Sequence, residues 1–184
     1  LTEVTMRDAA EGEIAISKQA INGTDELEGA SLKITDATGK TVAEWVSEKT
    51  PKLVQLDAGT YTLTEETAPN GYTVAESITF TVDKTGKVTV NGDNVGGVIT
   101  MKDDTTKVAI SKQDLTGSQE IPGATLQILD QNGDVVEEWV SGTDAHYIEA
   151  KLTAGETYTL HEVGAPNGYA YAEDVAFTVG TDGK

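Results

Sequence analysis

Tyr61-Thr-Leu-Thr-Glu65 and Tyr158-Thr-Leu-His-Glu162 are two versions of one segment. Both alternate apolar and polar residues, the period of a half-buried β-strand, so Tyr61, Leu63 and Glu65 share a face. Each runs into a turn, Pro69-Asn-Gly71 or Pro166-Asn-Gly168, in which Pro fixes φ and Asn-Gly tolerates the left-handed region. Working outward, the match continues. Ile14-Ala-Ile-Ser-Lys18 returns as Val108-Ala-Ile-Ser-Lys112, and Ile99-Thr-Met-Lys-Asp103 closes the first copy. By the same alternation Lys18 lies with Ile14 and Ile16, and Asp103 with Ile99 and Met101. A lysine and two carboxylates aimed into one small core are costly unless they pair or react.

The spacing of the repeat sets the domain count at two. Lys18 to Lys112 and Trp45 to Trp139 are both offsets of 94, whereas Glu65 to Glu162 is 97. Three extra residues therefore sit in the second copy and are expected in the loop around Gly142 to His146. Units of about 95 residues can each hold a core, though not a large one. Ser31–Thr35, Ser77–Val82 and Lys87–Val90 also alternate, and Asp36-Ala-Thr-Gly39, Asp83-Lys-Thr-Gly86 and Asp130-Gln-Asn-Gly133 have the composition of hairpin loops. No segment carries a helical stripe. The expected fold is all-β: two tandem immunoglobulin-like β-sandwich domains, the second lacking its closing strands. Residues 1–11 are assigned to the closing strand of a preceding repeat plus a linker, 12–104 to the first domain and 105–184 to the second. The short boundary at Asp104–Lys107 predicts a fairly stiff rod. The chain thus reads as a window on a longer array.

Composition narrows the functional classes. The 31 Asp and Glu against 13 Lys and Arg give a net charge of −18, which disfavours nucleic acid and anionic membranes as partners. With no cysteine, disulfides and thiolate sites are excluded. No stretch approaches the ~18 apolar residues of a membrane span, and no signal-peptide pattern opens the sequence. His146 and His161 are too few and too scattered for a metal site. Asp130–Asp134 lacks the spacing and distal Glu of a calcium loop, so it is read as a hairpin turn. No cofactor is expected.

Burial of Lys18, Glu65 and Asp103 together would favour their neutral forms. A neutral amine is a nucleophile and a protonated carboxyl an acid catalyst. Held in contact, such groups reach effective molarities on the order of 10⁵ M. Lys18 Nζ would attack the Asp103 carboxyl carbon while Glu65 moves protons, leaving an amide and one water. Parity places Glu66 with Thr62 and Thr64 toward solvent and sets Asp104 out of phase. Asn94 sits in a Gly-rich turn. None of these rivals the triad. Trp45 and Trp139 are read as core or core-margin aromatics, with a carbohydrate platform as the alternative.

These segments resemble the collagen-adhesin B-type (SpaA-like) repeats of Gram-positive surface adhesins and pilins. The likeness rests on Ile-Ser-Lys18, the box Tyr61 to Tyr72, Ile-Thr-Met-Lys-Asp103, Glu28-Gly-Ala-Ser-Leu32 and Glu-Trp45-Val-Ser. It implies a spontaneous isopeptide bond between Lys18 and Asp103 assisted by Glu65. It also implies an extracellular, cell-wall-anchored stalk module that holds a binding tip off the surface, rather than an enzyme acting on external substrates. Lys112 and Glu162 repeat two of the three positions. Val4-Thr-Met-Arg-Asp8 matches the Asp103 strand in pattern, so Asp8 of another copy is the expected acceptor for Lys112, by strand addition of Leu1–Asp8. Neighbouring repeats are the expected partners. The alternatives are a module that binds a host surface protein, and a truncated or engineered repeat that links head to tail by strand donation.

Overall fold

Alternation decides where each strand turns its side chains. The computed structural model describes residues 12–183. In chain order the strands are β1 (Glu13–Ala20), β2 (Ser31–Asp36), β3 (Thr41–Val46), β4 (Lys52–Gln55), β5 (Gly59–Thr67), β6 (Ile78–Val82), β7 (Val88–Val90), β8 (Asp93–Asn94) and β9 (Val98–Asp103). They are followed by β10 (Lys107–Ile110), β11 (Thr125–Leu129), β12 (Val135–Val140), β13 (His146–Glu149), β14 (Thr157–Gly164) and β15 (Val175–Thr178). No helix occurs among the described residues. Contacts divide the chain into two units: the first runs through Ala68 and resumes at Ala75–Asp103, and the second takes Pro69–Val74 and the residues from Asp104 onward.

In the first unit a six-stranded sheet, β3-β2-β5-β6-β7-β8, faces a three-stranded sheet, β4-β1-β9. Ile14 and Ile16 of β1, Leu32 and Ile34 of β2, Leu63 of β5, Phe80 of β6, and Ile99 and Met101 of β9 form the buried layer between them. Burying one such side chain fully stabilises the fold by about 1.5–3 kcal/mol. β1 is central in the small sheet. It runs antiparallel to β4, with Ile14 opposite Val54, and parallel to β9, with Lys18 opposite Met101 and Ala20 opposite Asp103. The first and last strands of the unit are thus neighbours. The hairpin turns fall where their composition places them: Gly39, Gly86 and Gly133 all have positive φ, the conformation that glycine adopts without strain.

The second unit repeats this plan with a four-stranded sheet, β12-β11-β14-β15, and a two-stranded sheet, β10-β13. Its pairing corrects the position of the three extra residues. Val108 faces Ile148 as Ile14 faces Val54, so the offset is still 94 through β13. It becomes 97 by Tyr158, and the insertion lies between β13 and β14, not around Gly142 to His146. A second correction concerns Lys112. β1 continues past Lys18 because β9 pairs with it, whereas β10 ends at Ile110, where its pairing with β13 stops. Lys112 lies beyond the strand.

Candidate functional site

Lys18, Glu65 and Asp103 converge in the core of the first unit. β1 supplies Lys18, β9 supplies Asp103 one diagonal step along the parallel pair, and β5 brings Glu65 from the facing sheet. Their exposures are 1%, 3% and 1%. Lys18 Nζ donates to Asp103 Oδ1, and Glu65 Oε1 lies 3.1 Å from the same nitrogen. Glu65 Oε2 accepts the Ala75 N–H at 2.6 Å, which fixes the carboxyl plane. Asp103 Oδ2 and Glu65 Oε1 have no hydrogen-bond partner.

One cation and two anions would leave a net negative charge in the core, so the group is short of one proton. Asp103 is the group of the three whose burial favours taking that proton up. Burial pushes its carboxyl up to about 7; the hydrogen bond and charge of Lys18 oppose this, and the nearby Glu65 adds to it. A protonated Asp103 neutralises the triad and supplies the missing donor between two orphaned carboxyl oxygens. It also turns a carboxylate, a poor electrophile, into a carboxylic acid that an amine can attack.

The rivals lie elsewhere. Glu66 is on the outer face paired with Lys33. Asn94 is exposed and accepts the Gly96 N–H at 3.0 Å, a turn contact. Asp130 Oδ1 accepts the N–H groups of Asn132 and Asp134, so that loop is a turn held by its own carboxylate. Trp45 and Trp139 pack at the core margin. His146 stacks on Trp139, with ring centroids 4.3 Å apart, and His161 pairs with Asp174 at 2.7 Å. No group of three or more potential metal ligands occurs among the described residues.

In the second unit Lys112 Nζ is 3.4 Å from Glu162 Oε1, with the lysine side chain 15% exposed. Glu162 Oε2 accepts the Ala172 N–H at 2.6 Å, as Glu65 does from Ala75. Asp8, the expected acceptor for Lys112, lies outside the described residues.

Two further residues were not singled out from the sequence. Glu26 accepts hydrogen bonds from Ser17 Oγ and, at 2.9 Å, from the Lys18 N–H. Glu120 accepts the Lys112 N–H at 2.8 Å, and its hydrogen bonds with Ser111 and then Lys112 hold its carboxyl below the usual range. The signal for both was the offset of 94, which relates Glu26 to Glu120 as it relates Lys18 to Lys112.

Comparison with known proteins finds similar structures and a matching family. The Bacillus anthracis TIE protein is 26% identical over 91% of this chain and 31% of its own, with a TM-score of 0.48. The pilus adhesin SpaC from Lactobacillus rhamnosus GG, in its open conformation, is 21% identical over 93% of this chain and 27% of its own, with a TM-score of 0.46. The C-terminal fragment of that adhesin is 21% identical over 94% of this chain and 84% of its own, with a TM-score of 0.50, a likeness of fold. The chain therefore spans less than a third of the length of the first two. No curated protein matches it. The profile of the SpaA prealbumin-like fold domain matches twice, at residues 12–95 and 106–184, and the chain belongs to that family.

Proposed function

We propose that the first unit closes an isopeptide bond between Lys18 and Asp103, and that the chain is a structural stalk module of a Gram-positive surface adhesin or pilus-associated protein, outside the cell and flanked by further repeats. In the reaction Glu65, 3.1 Å from Lys18 Nζ, takes a proton from the ammonium, and the amine so freed attacks Cγ of the protonated Asp103. A C–N bond forms, a C–O bond breaks, Glu65 relays the protons, and one water leaves. The observation that carries the reading is a fully buried lysine held against two carboxyls, one of them up at about 7. A cross-link between the first and last strands suits a module whose work is mechanical. Intact mass tests it: the chain should weigh one water less than its sequence, with Lys18 and Asp103 recovered in one branched peptide. Full mass with both side chains free would refute the bond.

For the second unit the corresponding proposal joins Lys112, assisted by Glu162, to Asp8 of another copy, on the strength of the pattern match between residues 4–8 and 99–103. Denaturing electrophoresis should then show a covalent ladder that disappears in Asp8→Ala. A strictly monomeric band would end that proposal.

A further inference from the structure

The lysine-bearing strand outlasts its neighbour. β4 pairs with β1 only as far as Ile16 opposite Lys52. In a strand, successive residues turn their N–H and C=O to opposite edges. Ala15 N–H bonds Gly97 O and Ile21 N–H bonds Asp103 O, so the odd residues face β9. Ile14, Ile16 and Lys18 face the other way, and at Lys18 β4 has ended and only an isolated antiparallel bridge, Gln19 to Glu26, follows on that side. At 1% exposure solvent does not reach its backbone, yet a buried N–H must be satisfied. Glu26 Oε2 accepts it, and the next residue, Leu27, donates its N–H to Lys18 O at 2.7 Å. Within this short bridge the carboxylate of Glu26 stands in for the backbone carbonyl that would otherwise accept the Lys18 N–H.

The clamp is itself anchored. Ser47 Oγ, just past β3, donates to Leu27 O at 2.6 Å and accepts the Ala30 N–H at 2.9 Å. The second unit repeats every part. Ile121 N–H bonds Lys112 O at 2.7 Å, and Ser141 Oγ donates to Ile121 O and accepts the Ala124 N–H. There the lysine lies outside any strand and pairs, among the described residues, with Glu162 alone. The same clamp thus holds the lysine backbone in both units, beside Asp103 in the first and with no second carboxyl among the described residues in the second.

We infer that Glu26, and Glu120 in the second unit, are positioning residues for the lysine nucleophile: each fixes the backbone from which the amine is aimed. The inference rests on the Lys18–Asp103 reading above. It goes beyond a contribution to folding, because the clamp holds one of the two residues whose displacement would separate the reacting atoms.

The test is cell-free synthesis of the full chain, with timed samples mapped for the Lys18–Asp103 peptide. Glu26→Ala should slow bond formation by on the order of 10²-fold, the cost of an ångström-scale misplacement. Its β-sheet circular dichroism spectrum should be retained in an Asp103→Ala background, where no bond can form. Glu26→Gln keeps an oxygen for the Lys18 N–H and should restore most of the rate. Glu26→Asp keeps the charge but shortens the reach and should stay slow. The Gln and Asp variants carry the test if Glu26→Ala does not fold. A wild-type rate in Glu26→Ala, or a fast Asp variant beside a slow Gln variant, overturns the positioning role alone. A wild-type chain that never loses water overturns the parent reading and this one with it.

Discussion

At Asp103, burial and the neighbouring Glu65 push the carboxyl up while Lys18 pulls it down, and it settles at about 7 against an ordinary 3.8. A folded value above the unfolded one means the folded state holds its proton longer. Stability from this group is full below the unfolded value and is lost as pH rises through the folded one. Lys18→Met blocks the bond and removes the groups that pull the value down. That chain should lose stability between pH 4 and 8 relative to Lys18→Met with Asp103→Ala, compared by urea midpoints at each pH. A difference that does not change with pH would contradict the assignment. Glu65 carries a second prediction. Glu65→Gln removes the proton relay but little packing, so bond formation should slow by about 10²–10⁴-fold in timed peptide maps. Glu66→Ala, on the outer face beside Lys33, should react at the wild-type rate. The facing of these residues was legible in the sequence, because the two-residue period that buries Leu63 also buries Glu65. Glu26 was not. It lies in the loop between β1 and β2, where no period relates a side chain to a face, and its partner is a backbone N–H that any residue would present.

Among the elements, β4 and β13 taught most. Each has four residues with two apolar neighbours side by side, Leu53-Val54 and Tyr147-Ile148, which breaks the alternation, and neither was recognised from the sequence. Without them the step in offset from 94 to 97 had no anchor, and the insertion was assigned one loop too early. The longer strands were legible because burial enforces their pattern. β5, paired on both sides by β2 and β6, shows it most clearly. Leu63→Ala should destabilise the first unit by about 2–5 kcal/mol, the cost of lost contacts plus a cavity. Thr62→Ala, one residue away on the outer face, should change stability by less than about 0.5 kcal/mol. Chemical denaturation in the Asp103→Ala background reads both without interference from the bond. Equal losses would mean that β5 is out of register with the core.

For the whole molecule, the two units should differ in resilience. The proposed cross-link across the 85 residues from Lys18 to Asp103 would restrict the unfolded chain, worth about 4–5 kcal/mol by analogy with disulfides closing comparable loops. At about 4–8 °C per kcal/mol for a domain of this size, Asp103→Ala should lower the first unit's thermal transition by roughly 16–40 °C. The second unit's transition should stay in place. Calorimetry of both chains checks this, and a coincident fall of the two transitions would contradict it. The parallel placement of β1 beside β9 has one more consequence, in length. An unfolded span of 85 residues pays out about 290 Å of chain at ~3.4 Å per residue. With the bond closed, a pull entering at Glu13 reaches Lys18 after five residues, crosses to Asp103 and leaves, and that reserve never enters the line of tension. The first unit then behaves as an inextensible link: a single-molecule stretching trace should lack its step, and the step should appear in Asp103→Ala.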